Sequence, residues 1–290
     1  MKQGTYCVIE NKQLTPTTWR MKLQGDVSAV TAPGQFINIK LDGHFLRRPI
    51  SICDVECGTC KADPYHSSNI NTPDFLEGII TIIYKVLGHG TEEMTSLEPG
   101  YELDVLTGLG NGYDLCDAGE RPLLIGGGVG IPPMYLAARR LKEQTDADVT
   151  VILGFNTSDE AYYIEEFEEL GCKVVTASAD GSLGIKGFVT DAFDELMIRS
   201  SVSDEGSEKT PDEKDGLQFS YFFTCGPEPM LRAVYDKLYT RAGISGQMSF
   251  EERMGCGFGA CMGCSCRTVT GYKRICKDGP VLRTEEILWQ

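Results

Sequence analysis

The sequence has no apolar run approaching the roughly 18 to 20 residues that a membrane-spanning helix needs. Its start, MKQGTYCVIENKQL, lacks the apolar centre of a signal peptide, so a cytoplasmic location is expected. Positive charge is scarce. Against 42 Asp and Glu there are 27 Lys and Arg, a formal net charge of −15. That balance argues against a nucleic-acid partner, because a phosphate backbone demands a basic footprint. Small anions stay open, since local backbone N–H groups bind them whatever the total charge. No internal repeat is visible. What the chain does have is cysteine, twelve of them. Without an export signal they read as thiols or metal ligands sooner than as a disulfide framework.

A length of 290 residues suggests about two domains, and the chain changes character along its course. Over residues 1–118, short β-type runs follow one another at Tyr6–Glu10, Thr18–Leu23, Gln35–Leu41, Ile50–Asp54, Ile79–Leu87 and Glu102–Leu106. Such spacing predicts a small antiparallel β-barrel, interrupted by an insertion loop at about 55–77. Over 119–245, strands alternate with helices. Strands are expected at 121–125, 149–155, 173–178 and 219–224, and helices from Pro132 to Leu141, Glu160 to Leu170 and Pro229 to Tyr239. This is the pattern of βαβ units on a parallel sheet, an α/β domain. Residues 200–216 carry six acids and a single Val, too little apolar area to order themselves, and read as a disordered surface loop. Residues 246–290 hold five cysteines and little periodicity. A metal centre could stabilise such a segment where packing cannot.

Cys256, Cys261, Cys264 and Cys276 are spaced C-x4-C-x2-C-x11-C, the plant-type [2Fe–2S] pattern. A tight loop supplies three thiolates, and a distant strand or turn closes the fourth corner. Gly255, Gly257, Gly259 and Gly263 let the backbone curl around the group, with positive φ where needed. Cys266 is surplus, and strand alternation would point it away. The alternative is zinc, although zinc sites usually pair two C-x2-C knuckles and only one is present. Cys53, Cys57 and Cys60, with His66 nearby, read as incidental thiols or a loose metal site. Cys7, Cys116 and Cys172 read as packing residues, and His44 and His89 as solvated.

Four further motifs point to nucleotides. Arg48, Pro49, Ile50 and Ser51 place a guanidinium and a hydroxyl on one strand start, suited to a phosphate and a flavin ring edge. Ile83, Tyr84 and Lys85 end a strand before Gly90 and Thr91, expected to form an N-cap that offers N–H groups to a pyrophosphate. Gly126, Gly127, Gly128 and Gly130 form a small-residue turn between strand and helix. They fail the G-x-G-x-x-G fingerprint yet sit where a diphosphate belongs. Cys225, Gly226 and Pro227 end a later strand, at the carboxyl end of an open α/β sheet where ligands bind. Residues 154–160 contain no Arg or Lys for a 2′-phosphate and two acids that would repel one, which favours NAD over NADP.

In this order, Arg48–Ser51, Gly90–Thr91, Gly126–Pro133, Cys225–Pro227 and the final cysteines resemble a ferredoxin-reductase-type flavoprotein. The run Glu251–Cys261 is similar to the electron-transfer subunits of type B dihydroorotate dehydrogenases. The resemblance covers nearly the whole chain. It implies FAD held by Arg48 to Ser51, Ile83 to Lys85, Gly90 and Thr91, and a [2Fe–2S] cluster on Cys256, Cys261, Cys264 and Cys276. NAD would lie at the glycine turn and Cys225–Pro227. It also implies an FMN-containing dihydroorotate dehydrogenase catalytic subunit as partner in a heterotetramer, serving pyrimidine biosynthesis. Electrons would pass from the partner's FMN through the cluster and FAD to NAD⁺. Two alternatives stand beside it. One is an NAD(P)H:ferredoxin or sulfide-dehydrogenase type reductase subunit. The other is a zinc-stapled regulatory module without turnover.

Overall fold

A computed structural model describes residues 1–58, 76–202 and 219–289. The first six strands, β1 (Lys2–Gln13), β2 (Thr18–Asp26), β3 (Phe36–Ile39), β4 (Arg48–Cys57), β5 (Glu77–Lys85) and β6 (Glu102–Leu109), close a barrel. Its order is β1-β2-β5-β4-β3-β6, with antiparallel neighbours throughout. Alternation fills the interior: Tyr6 and Val8, Met21 and Leu23, Ile37 and Ile39, and Ile80, Ile82 and Tyr84 all point inward. A bulge between Ile52 and Asp54 turns Cys53 out of the barrel. The six-residue helix α1 (His89–Met94) joins β5 to β6.

The second layer is a seven-stranded sheet, β10-β9-β8-β7-β11-β12-β15. β7 (Pro122–Gly127), β8 (Thr150–Phe155), β9 (Lys173–Ser178), β10 (Ile185–Lys186), β11 (Tyr221–Cys225) and β12 (Gly246–Ser249) run parallel. β15 (Val281–Arg283) closes the edge antiparallel to β12. The helices are α2 (Ile131–Gln144), α3 (Ile164–Glu169), α4 (Val189–Val202) and α5 (Glu228–Val234), the last continued by a wider turn over Tyr235–Arg241. The strand β7 starts this unit yet lies in its middle, so the order reverses between β7 and β11. That gap is where an open α/β sheet accepts ligands. The hairpin β13 (Ser265–Thr268) and β14 (Gly271–Arg274) stands apart.

Several expectations need correction. The helix expected from Glu160 to Leu170 starts only at Ile164, because Tyr163 takes a left-handed φ of 65° that no helix accommodates. The helix α4 was not expected, and it takes in residues 200–202 of the segment read as disordered. Residues 55–57 and 77, placed in an insertion loop, lie on β4 and β5. The remainder of both segments, with Cys60 and His66, lies outside the described residues. The cysteine-rich tail also joins the parallel sheet through β15, an edge that periodicity did not reveal.

The two layers meet along β4 and α2. Arg139 on α2 pairs with Asp54 on β4, and Cys53 and Ile83 enter the core formed with Met134 and Ala138. Lys85 reaches Glu160 across the same junction at 3.5 Å.

Candidate functional site

A cavity of about 250 Å³ opens at this junction, beside the reversal point of the sheet. Its barrel wall comes from outward positions of three strands. Phe36 lies on β3, Pro49 and Ser51 on β4, and Ile83 and Lys85 on β5, with Ile50 and Tyr84 bordering it. The opposite wall is Gly127, Gly130, Cys225, Gly226 and Pro227. Most sequence-predicted site residues therefore converge. The Tyr84 ring turns inward and its hydroxyl donates to Asn11 Oδ1 at 3.0 Å.

The remaining barrel residues gather next to α1. Arg48 lies so close to Gly90 that a Cβ there would overlap the guanidinium. Arg48 Nη2 donates to His44 Nδ1 at 2.7 Å, and His44 Nε2 meets Glu93 Oε2 at 2.8 Å. His44, expected to be solvated, thus steadies Arg48. Thr91 is not in front of the helix. The N-cap is Gly88, and Thr91 Oγ1 accepts from the N–H groups of Leu87 (2.9 Å) and Gly88 (3.3 Å). The first-turn N–H groups of α1 still lack intrahelical acceptors, as at any helix start. Arg47 is turned away and braces the barrel through Asp104 at 2.9 Å.

The glycine turn is built by close approach. A Cβ at Gly130 would fall on the Cys225 carbonyl, and one at Gly126 would come within 2.9 Å of the Ile131 Cα. Gly127 and Gly226 face the same side chain, Met230. Gly128 has φ +53°, and its carbonyl accepts the Tyr162 hydroxyl at 2.8 Å. Neither Gly126 nor Gly128 borders the cavity, so both shape the turn from behind. Burial pushes the Cys225 thiol up to about 12, against a smaller opposing effect from Ser249. It is a neutral, packed thiol at neutral pH.

Sequence reasoning missed the third wall. Ser249, Phe250, Glu251, Glu252 and Met254 also line the cavity. They leave the carboxyl end of β12 and run directly to the first cysteine, a position on a parallel sheet that could have marked them. Beyond them the four cysteines meet in two pairs. Cys256 neighbours Cys261, and Cys264 neighbours Cys276. Cys256 Sγ accepts from the N–H groups of Ala260 (3.2 Å) and Cys261 (3.4 Å), and Cys264 Sγ from that of Cys276 (3.4 Å). Although burial opposes it, these donors draw the Cys256 thiol down to about 6, towards the thiolate a metal requires. Cys264 and Cys276 are 1% and 2% exposed, whereas Cys261 is open to solvent. Gly257 and Gly259 have φ of +80° and +90°, as the loop reading expected, while Gly255 and Gly263 do not. Among the described residues, no three His, Cys, Asp or Glu side chains converge on a single point. Two thiol pairs suit a two-iron cluster, one pair to each iron.

The other cysteines separate by position. Cys266 packs against the sheet core that also holds Cys264 and Cys276. Cys53 is wholly buried between the layers and Cys57 packs on the barrel core, so the two do not share a face. Cys116, expected to pack, is exposed on the turn Leu115–Asp117. Trp289, which carried no sequence signal, packs on Phe250 and Tyr235 with the Arg232 guanidinium 5.0 Å above its ring. No helix among the described residues is long and apolar enough to cross a membrane.

Comparison with known proteins agrees with this geometry. A family model described as the iron-sulfur cluster binding domain of dihydroorotate dehydrogenase B matches residues 251–288, and one described as an oxidoreductase NAD-binding domain matches 124–236. The dihydroorotate dehydrogenase B (NAD(+)) electron transfer subunit of Fusobacterium nucleatum is 37% identical over 99% of both chains. Its counterpart from a Geobacillus strain is 35% identical over the same share. A solved NADH-dependent reduced ferredoxin-NADP oxidoreductase superposes with a TM-score of 0.76 at 27% identity, covering 98% of this chain and 90% of its own. A ferredoxin reductase of carbazole 1,9a-dioxygenase shares the fold at a TM-score of 0.61 and 23% identity, over 84% of this chain and 66% of its own. With two walls of its cavity drawn from the regions these models describe, and near-full-length identity above a third, the chain belongs to the family of dihydroorotate dehydrogenase B (NAD(+)) electron transfer subunits.

Proposed function

We propose that this chain passes electrons from a dihydroorotate-oxidising, FMN-containing catalytic subunit to NAD⁺, in a cytoplasmic heterotetramer serving pyrimidine biosynthesis. The observation that supports it best is the single cavity walled by the barrel, by both nucleotide turns and by the segment leading into the cysteine pairs. The barrel, residues 1–118, would hold FAD, residues 119–245 would hold NAD, and residues 246–290 would hold a [2Fe–2S] cluster. FAD, when bound, supplies the exchange between a nicotinamide hydride and the single electrons of an iron-sulfur centre.

The chain's own residues do the placing. Ser51, Pro49, Ile50, Ile83 and Lys85 would border the flavin, with Tyr84 contributing its strand position and its ring committed to the barrel. Arg48, steadied by His44, and the first-turn N–H groups at Gly90 and Thr91 would take the pyrophosphate. Gly127, Gly130, Gly226 and Pro227 leave room for nicotinamide, and Gly126 and Gly128 shape that turn. Half-buried and neutral, Cys225 packs beside it. Cys256 with Cys261, and Cys264 with Cys276, would each ligate one iron. The absence of basic residues over 154–160 supports NAD over NADP. Free thiols at every described cysteine suit a reducing compartment.

Co-expression with the FMN subunit tests this reading. The complex is expected to reduce NAD⁺ with dihydroorotate, and neither subunit alone should do so. A chain that purifies without such a subunit, and reduces a ferredoxin with NADH, would favour the second reading. That reading is supported by the 27% identity to the ferredoxin-NADP oxidoreductase.

A further inference from the structure

The strand β3 alternates strictly, with Ile37 and Ile39 in the barrel core and Phe36 and Asn38 facing outward. Phe36 borders the cavity and shares a core with Cys264 and Cys276. Two residues along the same face, Asn38 is only 1% exposed. Its carboxamide nitrogen lies against Gly257, so close that a Cβ there would overlap it. Gly257 follows Cys256 directly, and with φ +80° it brings the cysteine loop down onto the barrel. The Asn38 carbonyl oxygen, buried, has no hydrogen-bond partner among the described residues. The backbone beneath is braced: the Asn38 main-chain oxygen accepts from Arg47 Nη1 at 3.3 Å.

A buried amide oxygen without a donor is costly, and an apolar side chain of similar shape would remove that cost. Its presence here, on an outward strand position pressed against the cysteine loop, calls for a function. We propose that Asn38 is a positioning residue for the iron-sulfur centre. Its carboxamide seats the Cys256–Gly257 turn on the flavin barrel and so fixes the centre's placement and hydrogen bonding relative to the cavity. This inference rests on the reading of that loop as the cluster loop. Hydrogen bonding around cluster sulfurs and exposure of the cluster are among the levers on its reduction potential. Placement also governs how readily electrons cross between two bound redox groups.

The test compares wild-type holoprotein with Asn38→Leu, an apolar near-isostere, and Asn38→Ala, which avoids overpacking. Both variants are expected to keep wild-type flavin content and the wild-type rate of flavin reduction by NADH. The Leu variant should resist denaturant as well as wild type or better. In both, the cluster's electron paramagnetic resonance signal should shift or broaden, its midpoint potential should move, and its reduction after mixing with NADH should slow at least tenfold. Wild-type signal, potential and rate in both variants would overturn the inference. So would a loss of signal that merely tracks loss of folded protein. Wild-type protein that binds no iron-sulfur cluster would overturn this inference and the reading beneath it together, whereas an unaffected cluster in the variants would overturn this inference alone.

Discussion

The turn at Gly126–Gly130 and the loop at Glu251–Gly263 are both rich in glycine, yet glycine answers different demands in them. In the first, its missing side chain lets backbone meet backbone, with Gly130 against the Cys225 carbonyl and Gly126 against Ile131. The sheet already holds these partners, so the site is formed before any ligand arrives. In the second, Gly257 and Gly259 provide positive φ, but most neighbours are exposed and no regular element spans the loop. Its inner end is anchored where Cys264 and Cys276 enter the sheet core, and its turn at Gly257 touches the barrel beside Asn38. The nucleotide turn is organised by packing. The cysteine loop waits for a bound group to organise it.

The sharpest way to break this contrast is to remove a cluster ligand. Cys264→Ser is expected to abolish iron binding, with iron by elemental analysis falling from about two per chain to near zero. Flavin content and its reduction by NADH should survive. Loss of flavin together with iron would show that the two regions are not separately organised. Among the four ligand cysteines of iron-free wild-type protein, Cys256 and the exposed Cys261 should react with an alkylating reagent before the buried Cys264 and Cys276; peptide mass mapping reads this order.

Gly130→Ala strikes the other region. The new Cβ meets backbone that cannot move aside, an overpacking worth about 1–3 kcal/mol. The kcat/KM for NADH should fall roughly tenfold or more while iron content stays at wild-type level. Arg48→Ala should act between these extremes. Losing a charged hydrogen bond to a phosphate costs about 1.5–3 kcal/mol, or roughly tenfold to a hundredfold in FAD affinity, measurable by flavin fluorescence on dilution.

The smallest effect concerns the barrel alone. Burial raises the Asp26 carboxyl, but hydrogen bonds from Ser28, the Leu76 N–H and Lys2 outweigh it and hold the pKa at about 2 instead of 3.8. The stability this contributes is complete above pH 3.8 and is lost as pH falls from there through about 2. Asp26→Asn should flatten that limb of the acid denaturation curve by under about 1 kcal/mol, since the group keeps some contact with water. The change should be equal with and without iron.

What could be read from the sequence follows the same division. The strand Lys173–Ser178 appears where its pattern placed it, because a short β-branched run between Gly171 and Gly181 leaves few alternatives. The glycine turn and the cysteine spacing were legible as local chemistry. Asn38 was not, because its meaning comes from Gly257, more than two hundred residues later. His44 was dismissed because nothing local ties it to Glu93. Tyr163 gave no warning of its left-handed turn, since its ring packing on Tyr135 is a tertiary demand. Periodicity reports which face is buried, not which distant residue covers it.

That the cavity brings nicotinamide and flavin together, beside the segment leading to the cluster, is tested most directly by anaerobic titration of purified holoprotein with NADH. Visible and paramagnetic resonance spectra recorded together should show about one FAD and about two irons per chain, with flavin bleaching followed by a reduced-cluster signal. Stoichiometric zinc with no flavin absorbance, or a cluster that NADH never reduces while the flavin bleaches fully, would contradict it.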